Sequence, residues 1–112
     1  MIEIKLRQIK GISIVDIQGK LDTPASLDLE IFLTELLTKQ VSAVLINFSE
    51  MEFISSSGLR EILKAGKKLF SEKGKLVMCA ANPIVADVLR VSGFSVMFEA
   101  YESEMEAIAS FQ

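Results

Sequence analysis

The sequence contains no histidine and no tryptophan among its 112 residues. Without histidine, a Ser-His-Asp relay, a Cys-His pair and a His-based metal site are all excluded, whereas lysine-based or carboxylate-based catalysis stays open. Without tryptophan, we expect a core of mainly aliphatic side chains. The commonest routes to nucleophilic or metal catalysis are therefore closed to this chain.

Cysteine and long apolar runs are also scarce. The single cysteine, Cys79, cannot form an internal disulfide, and it lies in the apolar run 76–80, where a small buried residue is expected. No apolar run approaches the roughly 18 residues that span a bilayer, and Met1 leads into an alternating pattern rather than a signal peptide. We therefore expect a cytoplasmic protein with no membrane insertion.

Positive charge is in slight deficit. The 12 basic and 15 acidic residues give a formal net charge of -3, which repels a phosphate backbone at long range, so nucleic acid is not an expected partner. Half of the residues are hydrophobic and 24% are charged, a balance that favours a buried core over disorder. A chain of this length has room for one such core, and residues 1–112 are predicted to form a single domain.

Periodicity in the first half of the chain predicts a hairpin, a helix and a buried strand. Residues 2–7 alternate between apolar and charged side chains, and a second alternating segment follows a break at 10–11. Thr23 precedes a proline and is a candidate cap for a helix over about 24–39. The apolar run 43–48 is typical of a strand buried on both faces, which places it at the centre of a sheet.

A turn is expected around residues 49–52, and an amphipathic helix with a basic outer face follows it. The apolar stripe of this helix consists of Leu59, Ile62, Leu63, Gly66, Leu69 and Phe70. Residues 74–75 end the helix, and residues 76–80 are apolar enough to form another inner strand.

The last third of the chain predicts two more helices and a short strand. Asn82 and Pro83 begin a helix whose apolar residues are Ile84, Val85, Val88 and Leu89. A short strand is expected at residues 95–98. Ser103 and Glu106 match a capping box, and the closing helix is expected to bury Met105, Ile108 and Phe111.

This order of elements predicts an α/β domain. Helical crossovers between the later strands imply parallel pairing, beside an antiparallel hairpin at the start. We therefore predict a mixed sheet of four to five strands with about four helices, mainly on one face.

Three serines, Ser55, Ser56 and Ser57, stand just before the stripe of the second predicted helix, so at least one should lie at its cap or in its first turn. Backbone N–H groups and the helix dipole would stabilise an anion there, although a plain cap explains the serines as well. The sequence lacks both Gly-x-Ser-x-Gly and a phosphate-binding glycine loop. A serine that receives a phosphoryl group from another protein needs neither pattern.

The whole chain resembles the STAS domain, and within that family the bacterial anti-sigma factor antagonists. The resemblance covers the opening hairpin and then, in order, the segments GKLDT at 19–23, VLINF at 44–48, FISSSGL at 53–59, ANP at 81–83 and VSGF at 91–94. The Ser-Ser-Gly-Leu turn in that order of elements is the specific part.

The resemblance implies a switch controlled by phosphorylation. In that family, the hydroxyl two residues before the glycine of the turn is phosphorylated by an ATP-binding serine kinase that is itself the anti-sigma factor. Anchored on Gly58 and Leu59, the resemblance assigns this role to Ser56, with Ser55 and Ser57 less favoured; the family commonly has aspartate where this chain has Ser55. Unmodified protein would bind the anti-sigma factor, phosphorylation would break the complex, and a PP2C-like phosphatase would restore it.

The turn and the second helix are together predicted to form a partner-binding surface. Its residues are Asp22, Thr23, Ser55, Ser56, Ser57, Gly58, Leu59, Arg60 and Lys64. Asp22 and Thr23 belong to it if their loop shares one end of the sheet with the serine turn, although helix capping explains them equally. A solvated charged face is the alternative for the basic residues. No cofactor, metal or enzymatic activity is expected, and a weak homodimer is left open.

Two other functional classes are compatible with the sequence. One is a structural or scaffolding STAS module, as in stressosome-like assemblies or lipid-transport complexes, in which the serine is never modified. The other is a STAS domain that binds a nucleotide or another small ligand at the turn.

Overall fold

The computed structural model describes residues 2–112. Along the chain, its elements are β1 Ile2–Ile9, β2 Ile12–Leu21, α1 Thr23–Leu37, β3 Ala43–Asn47, β4 Met51–Ile54, α2 Ser56–Ser71, β5 Lys75–Cys79, α3 Pro83–Val91, α4 Phe94–Met97, β6 Glu99–Tyr101 and α5 Glu104–Ala109.

Strand β2 has three neighbours in the sheet. It pairs antiparallel with β1, and parallel with β3 along its first half and with β4 along its second half. The remaining pairs, β3 with β5 and β5 with β6, are parallel. The register shifts between Gly19 and Lys20, and Gly19 has a φ of 104°, which glycine adopts at little cost. This irregularity lies within the part of β2 that pairs with β4.

The two faces of the sheet bury two separate hydrophobic clusters. One cluster lies under α1, α2 and α3 and includes Val15, Ile17, Val44, Ile46, Leu76 and Met78 from the strands. The other lies under α5 and includes Ile12, Ile14, Leu45, Val77 and Cys79. Because successive strand residues point to opposite faces, the near-continuous apolar runs of β2, β3 and β5 fill both clusters.

The predicted fold class is confirmed. The sheet is mixed, it begins with an antiparallel hairpin, most helices cover one face, and β3 is the central strand in the order β1-β2-β3-β5-β6. Within residues 2–112 the sheet has six strands, one more than the upper prediction, and there are five helices instead of about four. No helix in this range is both long and apolar enough to cross a bilayer.

Two local predictions are only partly right. The turn expected around residues 49–52 is present at 49–50, where the N–H of Met51 donates to the carbonyl of Phe48 at 2.9 Å, but residues 51–52 begin strand β4, which pairs with β2. Most of the segment 95–98, where a strand is expected, belongs to the short helix α4. The strand itself, β6, begins at Glu99, just after that segment. Gly93, with a φ of 88°, begins α4, and the buried side chain of Phe94 anchors it.

Three residues assigned to buried helix stripes lie in solvent. Phe70 is 82% exposed, Ile84 is 63% exposed and Met105 is 82% exposed. A helix turns by about 100° per residue, so at the edge of its apolar stripe one of two adjacent apolar residues can face the core while the other faces solvent. Leu69 and Val85 take that position beside Phe70 and Ile84.

Candidate functional site

Three helices begin at the edge of the sheet where the parallel strands β2, β4 and β5 end. Each of their first turns is capped by a side chain, since Asp22, Ser55 and Asn82 accept hydrogen bonds from backbone N–H groups at 3.0, 3.1 and 2.8 Å. The positive ends of three helix dipoles therefore meet at this edge. A negative charge placed here is favoured by the backbone itself.

The three serines have different positions in the first turn of α2. Ser55 is the N-cap, with an extended backbone and a side-chain oxygen that accepts the N–H of Gly58. Ser56 is the first helical residue and is exposed, whereas Ser55 and Ser57 are half-buried. Of the three serines, Ser56 is the most exposed.

Gly58 and Leu59 are buried and support the turn from below. A Cβ atom at Gly58 would lie 2.6 Å from two side-chain carbons of Leu21, so only glycine lets α2 begin this close to β2. Leu59 is 8% exposed and packs in the larger hydrophobic cluster. Both residues belong to the predicted partner-binding set, and in the structure they lie beneath the turn as buried packing residues.

Asp22 and Thr23, the cap and the first residue of α1, lie beside the serine turn. Leu21 and Ile54 are register partners in the sheet, and the N–H of Ser55 donates to the carbonyl of Leu21 at 2.8 Å. The two loops therefore share one end of the sheet. The cap of α1 is Asp22 instead of Thr23, which is exposed at the first position of the helix.

Arg60 and Lys64 are both exposed on α2, but only one of them is paired. The Lys64 Nζ lies 2.9 Å from Glu61 and 3.0 Å from Glu30 on α1, and hydrogen bonds to Glu61 and Glu30 raise the pKa of Lys64. Arg60 forms no ion pair with any residue between 2 and 112. Arg60 is therefore the freer of the two predicted contacts.

A polar cluster on the other face of the sheet is absent from the sequence prediction. Arg7 donates through Nε to Asp16 at 2.6 Å and through Nη1 to Glu104 at 3.2 Å, and Asn47 donates to Glu104 at 2.7 Å. The hydrogen bond from Arg7 holds the pKa of Glu104 below its ordinary value. This cluster ties the start of α5 to β1, β2 and β3. Its one sequence signal is Asn47, a polar residue inside an apolar run.

Comparison with known proteins identifies the family. The family model for the STAS domain matches residues 3–107 of this chain. BtrV of Bordetella bronchiseptica, whose name places it among the anti-sigma factor antagonists, is 31% identical over 110 residues, 98% of this chain and 95% of that protein. This chain belongs to the anti-sigma factor antagonist family of STAS domains, as the resemblance predicts.

Two solved structures share the fold. The anti-sigma factor antagonist from Mycobacterium paratuberculosis has a TM-score of 0.91 at 24% identity, covering 98% of this chain and 93% of that chain. The Bacillus cell fate determinant SpoIIAA, solved in its phosphorylated form, has a TM-score of 0.77 at 20% identity, covering 98% of this chain and 100% of that chain.

Proposed function

We propose that this protein is an anti-sigma factor antagonist that changes partners through phosphorylation of Ser56 and is not itself an enzyme. The unmodified protein binds an anti-sigma factor that is also an ATP-dependent serine kinase, and phosphorylation releases it. A PP2C-like phosphatase then returns the protein to its binding state. The observation that supports this proposal is the exposure of Ser56 at the first position of α2, while Ser55 makes the cap.

A phosphoryl group on Ser56 is compatible with the fold. It adds about -1.5 to -2 charges at neutral pH, at the positive end of the α2 dipole. Since the side chain is exposed, the group displaces no packed neighbour. SpoIIAA, which shares the fold, has been solved in a phosphorylated form.

The same group is incompatible with a docked partner. In a complex formed through the start of α2, the phosphoryl group would be taken out of water against the partner's surface. A buried charge without a partner costs several kcal/mol, which lowers affinity by roughly 10²-fold or more. Phosphorylation therefore dissociates the complex without unfolding the protein.

The partner is expected to contact exposed residues around the serine. Thr23, Ser56 and Arg60 are exposed at this end of the molecule, on two neighbouring helices. Lys64 lies one turn further along α2 and is held by Glu30 and Glu61, so we expect it at the rim of the interface, where a charge affects association rate more than affinity.

The test is incubation with the cognate kinase and ATP, followed by mass spectrometry of the digested protein. We expect one phosphoryl group on Ser56, none on a Ser56→Ala variant, and normal modification of Ser57→Ala as the matched control. An unchanged mass, with a kinase that modifies other antagonists, would contradict the proposal.

The two alternatives make different predictions. A scaffolding STAS module would be recovered with transporter or assembly subunits, and never with an ATP-binding kinase. A nucleotide-binding domain would release or absorb heat when titrated with ATP or GTP, and the Ser56→Asp change would alter that heat. A partner-switching protein gives a flat titration with both nucleotides.

A further inference from the structure

A groove of about 700 Å³ lies at the other end of α2 from the serine turn. Its walls come from the last turns of α2, the start of β5, the end of α4 and the start of β6. Ser56 and Phe70 are 14 residues apart on one helix, which is about 21 Å at 1.5 Å per residue. The groove is thus separate from the proposed phosphorylation site.

The walls of the groove are largely apolar. Leu76 and Phe98 line its inner part, and the side chains of Phe70 and Met97, 82% and 52% exposed, line its outer part. A Cβ atom at Gly66 would lie 2.4 Å from the Phe98 ring, so this glycine is what allows Phe98 to rest directly on α2. A concave apolar surface of this size is in the range of small-molecule sites.

Two lysines line the same groove, and one is unpaired. The Lys75 Nζ is 3.1 Å from Glu99 and 5.5 Å from the centre of the Phe111 ring. Lys67 has no carboxylate within ion-pair distance in the part of the chain that the structure describes. The groove therefore offers one free cation beside an apolar wall.

We propose that this groove binds a single amphipathic carboxylate, whose hydrocarbon part covers Phe70, Met97 and Phe98 and whose carboxylate pairs with Lys67. The concave shape favours one small molecule over a flat lipid surface. A neutral apolar compound would leave Lys67 without a counter-charge.

Isothermal titration calorimetry with decanoate, kept below its micelle concentration, tests the proposal. We expect saturable binding at one site per chain. Butanoate should bind more than about tenfold more weakly, because it has fewer methylene groups to bury. Decyltrimethylammonium, which has the same chain length and the opposite charge, should also bind more weakly than decanoate.

Exposed side chains allow matched variants. Phe70→Ser should weaken decanoate binding by about tenfold through lost apolar contact. Lys67→Gln should weaken it by up to about fivefold, with no loss for decyltrimethylammonium. Ile31→Ser is the control, since Ile31 is 59% exposed on α1 and does not line the groove. Ser56→Asp should leave decanoate binding unchanged, so this test is independent of the proposed switch.

Several results would overturn the proposal. One is the absence of saturable heat with decanoate, and another is equal binding by Phe70→Ser and Ile31→Ser. Co-sedimentation with phosphatidylglycerol vesicles, in the absence of decanoate binding, would identify a membrane surface instead. Self-association in analytical ultracentrifugation that Phe70→Ser abolishes, again without decanoate binding, would identify an interface between two copies.

Discussion

At the scale of the residue, adjacent serines differ in what they contribute. The side chain of Ser55 accepts the N–H of Gly58 and so satisfies a backbone group at the start of α2. Ser56 is exposed one position further on. Stability, through the cap, and the proposed recognition therefore fall to neighbouring hydroxyl groups, and single substitutions can separate them.

Replacement of these serines by alanine should affect stability differently. We expect Ser55→Ala to lower the free energy of unfolding by about 1 kcal/mol, because a helix cap is lost. Ser56→Ala should change it by less than about 0.5 kcal/mol, as is usual for an exposed position. Urea denaturation followed by circular dichroism measures both, and an equal loss in the two variants would refute the assignment of the cap.

Cys79 is expected to be unreactive in the folded protein. It is 1% exposed in β5, and burial raises the pKa of its thiol to about 12. Since the thiolate is the reactive form, iodoacetamide at pH near 8 should label the native protein very slowly and the urea-unfolded protein readily. Mass spectrometry over time measures the two rates. Fast labelling of the native state would show that α5 opens often.

At the scale of the element, α5 covers its side of the sheet through a small buried contact and a polar cluster. Ala107 is buried in the smaller hydrophobic cluster, with Ile108 and Phe111 partly buried beside it. Glu104, at the first position of the helix, bonds to Arg7 and Asn47. The polar contacts should therefore matter more for α5 than for the longer helices.

Lowering the pH should weaken the contacts that hold α5 on the sheet. The pKa of Glu104 is lowered in the folded state, so its contribution to stability is present above its unfolded pKa and is lost as pH falls through the folded pKa. Stability profiles of the wild type and Glu104→Gln should differ above about pH 5 and converge in more acidic solution. Glu102→Gln, an exposed change on the same segment, is the control. Parallel profiles at all pH values would contradict the role of Glu104.

The elements that the sequence predicts well are those with local signals. Asn82 and Ser103 cap their helices as expected, because a cap depends on residues within one turn. Strand β4 could not be predicted, because four residues show little alternation and their partner is β2, far away in the chain. The polar cluster around Arg7 could not be predicted for the same reason, since Arg7 and Glu104 are 97 residues apart in the chain. That a serine lies at the start of α2 could be predicted from the sequence, but the assignment of the cap to Ser55 and of the exposed position to Ser56 could not, because a shift of one residue would exchange them.

At the scale of the whole molecule, the residues of the proposed switch lie together at the carboxyl edge of the sheet. The loops that follow β2 and β4 each lead into a helix. The hydrogen bond from the N–H of Ser55 to the carbonyl of Leu21 joins them. A charge added at this edge changes the surface that a partner meets, while both hydrophobic clusters stay as they are.

A phosphate mimic should therefore affect binding alone. We expect Ser56→Asp to keep the thermal midpoint of the wild type and to bind the anti-sigma factor roughly 10²-fold more weakly. Ser95→Asp, the same change at an exposed serine of α4, should bind normally. Surface plasmon resonance and thermal melts measure both properties, and undiminished binding by Ser56→Asp would refute the switch.

The position of α5 also has a consequence for biosynthesis. The apolar residues of β2, β3 and β5 that it shields are made before their cover, because α5 begins about 25 residues after β5 ends. If synthesis stops before residue 104, the released chain has apolar residues exposed on one face of its sheet. Chaperones and proteases act on such exposed apolar surface.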